Sequence, residues 1–186
     1  MDSDTNSLTG PAMLIDQYLP EFDFNEIHTV AVKAEARSVY PLVRHLDFSE
    51  SWITRILFKL RGLAADDLTL DAMLNSEHFS ILEDVPATEM VIGGLGDSKP
   101  NPIPIVDCNH FVNFNDNKGV KIAWNFSLSE MDSQQTRVAT ETRVQCLGKG
   151  IRRKFSVYWF FVRPFSGLIR REMLRILKKQ AETSVY

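Results

Sequence analysis

Several residues in this chain have the type and spacing to do chemistry. His110 lies two positions after Cys108, and on a strand residues at i and i+2 share a face, so the pair has the spacing of a thiol and its base. Thr140 and Thr142 repeat that spacing and supply hydroxyls able to orient a ligand carbonyl or hydroxyl in an apolar pocket. The bland alternative is a satisfied core histidine and threonines that simply suit a strand. Asn125, Glu141 and Arg143 supply an amide, a carboxylate and a guanidinium. Strand alternation assigns them to the outer, solvent side as a cross-strand charge pair, although a one-residue slip would turn them inward as an acid/base or carboxylate-binding site. Ile92-Gly93-Gly94-Leu95-Gly96 has the glycines of a phosphate loop, but Lys99-Pro100-Asn101-Pro102 follows where a helix should start. A strand end, a bulge or a gate is the better reading. His28, His45, His78 and His110 have no ligand spacing and there is no CxxC, so no metal and no cofactor are expected, and Cys108 and Cys146 are expected to be free thiols.

The elements that must position these residues follow from hydrophobic periodicity. Glu26 to Ala34 alternates as a strand; Val39, Leu42, Val43 and Leu46 then repeat at helical spacing. Ser49 opens a second short helix, to near Gly62, and Thr69 to Asn75 adds a further turn. Phe79–Val85 and Thr88–Leu95 read as strands, and Asp97–Pro104, with three prolines, as a loop. Ile105–Phe114, Val120–Ser129 and Thr136–Leu147 read as an antiparallel meander. In it Cys108, His110, Trp124, Phe126, Thr140 and Thr142 share the inner face. From Lys149 to about Glu182 a single helix is expected, kinked near Pro164 and Gly167. Ile151, Phe155, Trp159, Val162, Ser166, Ile169, Met173 and Ile176 form one apolar stripe along it.

At 186 residues, 44% hydrophobic and 24% charged, the composition is that of one folded domain and excludes disordered, collagenous and disulfide-scaffold classes. Residues 1–20 read as a polar tail and lead-in, and 21–186 as the domain. The longest apolar run, Val157 to Val162, is far short of the ~20 residues of a membrane span, so no transmembrane segment is expected. Met1 to Thr9 lacks a basic n-region, which points to a cytoplasmic protein. The net charge of −3 gives no field for nucleic acid. It is unevenly spread, however: from Lys149 onward the chain has ten basic and two acidic side chains. That basic helix suits docking on the acidic remainder of the domain first, and a homodimer contact, an acidic partner or a lipid surface second.

A strand, two short helices, an antiparallel meander and a long C-terminal helix occur in the order of the helix-grip fold. Ile27-His28-Thr29-Val30-Ala31-Val32, Ala123-Trp124-Asn125-Phe126, Thr140-Glu141-Thr142-Arg143-Val144 and Tyr158-Trp159 through Pro164-Phe165-Ser166-Gly167-Leu168-Ile169-Arg170-Arg171 sharpen the match. On these residues the chain resembles the START-like, polyketide-cyclase-like (SRPBCC) superfamily, in a largely uncharacterised bacterial branch. The resemblance implies an α+β fold, a curved antiparallel sheet wrapped around the long helix, with an apolar cavity between them. In relatives that cavity holds lipids, sterols, polyketides or hormones. No catalytic motif is transferred, and the expectation leans away from an enzyme. The expected function is binding of a small hydrophobic or amphipathic molecule by Cys108, His110, Trp124, Phe126, Thr140, Thr142, Trp159, Val162 and Ser166. The alternatives are a cyclase- or dehydratase-like enzyme and an adaptor docking through the basic helix.

Overall fold

The computed structural model describes residues 13–47, 69–74, 79–97 and 102–183. In chain order the elements are α1 (Ile15–Tyr18), β1 (Phe24–Val32), α2 (Ala36–Arg44), α3 (Leu70–Leu74), β2 (Ser80–Val85), β3 (Glu89–Gly96), β4 (Pro102–Ile103), α4 (Cys108–Asn113), β5 (Val120–Asp132), β6 (Gln135–Cys146) and α5 (Lys149–Thr183). The described strands form one antiparallel sheet in the order β1-β6-β5-β3-β2, with β4 paired to the end of β3. The sheet is curved and α5 lies across it, which is the helix-grip arrangement. Of the two helices expected after the first strand, α2 is present; the Ser49–Gly62 helix lies outside the described residues.

The β5–β6 hairpin sets the register on which both faces depend. Trp124 pairs with Thr142, Phe126 with Thr140 and Leu128 with Val138. With a side-chain period of two, these residues share one face. Across the β1–β6 pairing, Glu26, His28 and Val30 stand opposite Thr142, Thr140 and Val138, so they join the same face. This concave face packs on α2 and α5, and Val39, Val43, Met90, Ile92, Phe126, Met173, Leu174 and Leu177 form its core. Helix α5 runs unbroken through Pro164. Proline has no N–H to offer the Phe160 carbonyl, so the helix lacks one backbone hydrogen bond there, on a turn where Phe160 is exposed.

The opposite face is buried too. Ile15 and Leu19 of the expected lead-in pack with Leu82, Val91, Leu95, Phe111 and Ala123 as a second core. Asn125, Glu141 and Arg143 point away from α5, as the alternation predicts, but they lie beneath α1 and not in solvent; Glu141 is 3% exposed. The sequence pattern does not show this cover, because α1 is only four residues long. Arg143 donates through Nε to Glu141 Oε1 at 2.7 Å and through Nη1 to the Leu19 carbonyl at 3.1 Å, and pairs with Asp16 Oδ1 at 2.7 Å. Glu141 Oε1 also accepts from Asn25 Nδ2. Glu89 accepts from the Leu14 and Ile15 N–H groups and from Asn125 Nδ2, so a β3 carboxylate satisfies the free amides at the start of α1. Arg143 is paired with Glu141 and Asp16, and the Glu89 carboxylate is hydrogen-bonded by three neutral donors, which is what tolerance of burial demands. Burial opposes ionisation of Asp16, but the Met13 N–H and the Arg143 guanidinium together hold its carboxyl below the usual value.

Ile105–Phe114 is not a strand. Asp107 takes an extended conformation and its Oδ1 accepts from the His110 N–H at 2.7 Å, an N-cap that starts α4. A local side-chain hydrogen bond thus overrides the alternating pattern. The position beside β5 belongs to β3. The glycines of β3 lie inside a regular strand, and a Cβ on Gly93 would meet Leu82 Cδ1 at 2.8 Å, at the bulge in β2.

Arg143→Ala strands the Glu141 carboxylate in the second core and is expected to destabilise the protein by about 3–5 kcal/mol. Urea denaturation measures this, and a loss near zero would show that the network does not hold α1 on the sheet. The Asp16 contribution is present above the unfolded-state pKa of ~3.9 and fades as pH falls through the lower folded-state value.

Candidate functional site

The expected site residues separate into two groups. Cys108 and His110 sit on α4, away from the face that meets α5, where Val106 is 83% exposed and Phe111 is the buried residue. Two positions apart on a helix, their side chains do not face one another, so the thiol–base arrangement does not form. Cys108 is exposed, and His110 Nδ1 accepts from the Val106 N–H at 3.2 Å. Both cysteines are free; burial first, then Asp23, pushes the Cys146 thiol up to about 11, the opposite of activation.

Trp124, Phe126, Thr140 and Thr142 lie together on the concave face, and Trp159, Val162 and Ser166 belong to the α5 stripe that continues into the buried Ile169 and Met173. The first half of that stripe reaches the sheet through Phe24, whose ring is 5.3 Å from Phe155 and 5.8 Å from Trp159. Towards the C-terminal half of α5 the packing is closed. Around Phe24, Glu26, His28, Ile122, Trp159, Val162 and Ser166 it is only half-buried. This half-buried stretch lies between β1, β6, β5 and the first half of α5.

Its polar residues have distinct roles. Thr140 Oγ1 donates to the Asn125 carbonyl and accepts from Trp124 Nε1 and Arg170 Nη1, all at 2.8–2.9 Å, which uses its whole hydrogen-bonding capacity. Arg170 also lies over the Trp124 ring, 4.7 Å from its centroid. Thr140 thus positions the indole and the guanidinium. His28 Nε2 lies 3.1 Å from Glu26 Oε1. The imidazole and the carboxylate thus share one hydrogen bond. Glu26 Oε2 and Thr142 Oγ1 are buried, stand on residues directly opposite in the β1–β6 register, and find no hydrogen-bond partner among the described residues. An oxygen left so is disfavoured by about 1–3 kcal/mol.

Sequence reasoning missed Glu26, His28 and Arg170. The alternation of β1 carried the signal for the first two: Phe24, Glu26, His28 and Val30 share the parity of Val32. Gly167 explains why α5 approaches them so closely. A Cβ there would collide with Glu26 Oε1 and lie 3.3 Å from His28 Nε2.

On the other face, a cleft of about 260 Å³ is lined by residues including Tyr18, Glu21, Val112, Lys121 and Gln145. Burial lowers the pKa of the Lys121 ammonium, which donates to the Val112 carbonyl at 2.8 Å. Burial and the hydrogen bond to Glu83 raise Tyr18 to about 12.

No protein-family model and no curated protein matches the chain. Among solved structures it is similar to a conserved protein from Geobacillus kaustophilus (11% identity, 87% of this chain and 97% of that one, TM-score 0.44). It is also similar to a hypothetical protein from Helicobacter pylori (10%, 97% and 99%, TM-score 0.45). A third similar structure is the ZhuI aromatase/cyclase of a Streptomyces species (13%, 88% and 96%, TM-score 0.37). Scores this low carry no argument about ligand or activity, and the fold description rests on the strand pairing of this chain.

Gly167→Ala tests the close approach. Alanine favours the helix by about 1 kcal/mol, but overpacking against Glu26 opposes it by about 1–3 kcal/mol. The single variant is expected to be less stable than the parent, and the same change in a Glu26→Ala background to be neutral or stabilising, as read from paired denaturation curves. Equal effects in both backgrounds would remove the contact.

Proposed function

We propose that the protein binds a small, largely apolar molecule bearing a hydroxyl or amino group, in the groove between the concave face and the first half of α5. Phe24, Trp124 and Trp159 form the apolar wall, Phe126 the floor, and Val162 and Ser166 the helix side. The observation that carries this reading is the buried pair of unpartnered oxygens, Glu26 Oε2 and Thr142 Oγ1, on one face of the sheet. A ligand hydroxyl or amine that donates to the carboxylate and meets the threonine hydroxyl would satisfy both, and a few fixed polar groups in an apolar site are how such pockets gain orientation and specificity. This use of the groove, and membership of the START-like superfamily, are parts of the same proposal. A carrier, sequestering protein or sensor fits it.

A second reading is favoured by the Glu26–His28 contact: an imidazole oriented by a carboxylate beside a ligand hydroxyl could move a proton in a cyclase- or dehydratase-like step. That reading predicts a ligand whose mass changes on incubation with the protein but not with a His28→Gln variant.

Naphthol and naphthalene, which differ by one hydroxyl, serve as probes of the binding reading, with quenching of tryptophan fluorescence as the readout. Naphthol is expected to bind more tightly. Glu26→Gln with Thr142→Val is expected to weaken it by about tenfold or more, the size of a lost hydrogen bond to a charged group, while leaving naphthalene unchanged. Equal losses for both probes would assign the two residues to packing alone.

A further inference from the structure

The outward side of α5 is apolar where a solvent-facing helix side should be polar. Val157, Phe161, Phe165 and Leu168 follow steps of four and three along the side opposite the buried stripe, and Tyr158 and Phe160 flank them. All six are exposed, Phe160 at 76% and Phe161 at 65%. Single exposed apolar residues are ordinary, but a contiguous, mostly aromatic row marks an interaction surface. Cations bracket it: Arg153 and Lys154 lie at one end and Arg171 at the other, all exposed and none in an ion pair with a described residue. From Arg153 to Arg171 the row extends about 27 Å along the helix axis.

We propose that this face of α5 docks the protein on an anionic lipid surface, with the helix lying in the plane of the interface. Aromatic side chains favour the headgroup level, and flanking Arg and Lys reach lipid phosphates while the apolar row enters the acyl boundary. A second copy of the chain fits poorly. Antiparallel pairing about a two-fold axis near residue 162 would bring Arg153 and Lys154 of one copy to Arg171 of the other. An acidic protein satisfies the cations, but six exposed side chains with no polar atom beyond the Tyr158 hydroxyl suit an apolar boundary. No described helix is long and apolar enough to cross a membrane, so the contact is peripheral. The proposal does not depend on the groove, which lies on the other side of the helix.

Co-sedimentation of the full chain with vesicles tests it, using phosphatidylcholine alone and phosphatidylcholine mixed with phosphatidylglycerol. Binding is expected only to the mixed vesicles and is expected to weaken in high salt. It should drop about fivefold for each charge removed in Arg153→Gln and Lys154→Gln, and about tenfold or more in a Phe160→Ser/Phe161→Ser variant whose thermal unfolding matches the parent. No binding to mixed vesicles, or binding that the phenylalanine substitutions leave intact, would overturn it. So would dimerisation, or association with polyglutamate, that those substitutions abolish while vesicles are ignored.

Discussion

The organisation of the molecule turns on one close approach, that of α5 to β1 at Gly167. With no Cβ at that position, the helix backbone comes down onto Glu26 and His28. This single contact fixes where the helix is clamped and where it is not. Beyond Gly167, Ile169, Met173, Leu174 and Leu177 complete a closed core. Before it, the helix meets the sheet mainly through Phe24, Phe155 and Trp159, and the packing there is only half-buried. The same contact keeps the Glu26 carboxylate buried, with one oxygen on His28 and the other aimed at nothing described. Without the glycine, Glu26 would have to move aside and the polar end of the groove would be lost.

The other face of the sheet is covered as well. A long helix on one side and solvent on the other is the simplest helix-grip plan, and here the second side is closed by α1, α4 and a buried ionic network. Glu89, Asn125, Glu141 and Arg143 are the kind of carboxylate, amide and guanidinium that suggest catalysis when read from sequence. In the structure they are satisfied in full by one another, by Asn25, by Asp16 and by the backbone of residues 14–19. Polar groups so completely paired serve position. Glu26 Oε2 and Thr142 Oγ1, buried and without a partner among the described residues, are the oxygens on which the proposed recognition rests.

Much of this was legible in the sequence. Alternation in Ile122–Leu128 and Val138–Val144 fixed the two faces of the hairpin, and the three-and-four stripe of α5 fixed which side of the helix meets them. What escaped was set by short-range or tertiary detail. The Asp107 cap turned an alternating stretch into α4 and took Cys108 and His110 out of the concave face. The four residues of α1 are too few for a periodic signal, so the burial of Arg143 could not be foreseen. Glu26 and His28 lie in an alternating strand, but a polar side chain at an inward position carries no hydrophobic signal of its own. The exposure of Tyr158, Phe160 and Phe161 has no signal in the sequence, because sequence does not say which turns of a helix the rest of the protein covers.

The central claim is that the groove beside Thr142 holds a small molecule. Native mass spectrometry of the freshly purified full chain tests it most directly, set against a Thr142→Trp variant in which the indole would fill the groove. The account predicts a non-covalent adduct of defined mass on the parent protein that is absent from the variant, with both folded. The same adduct on both would contradict it.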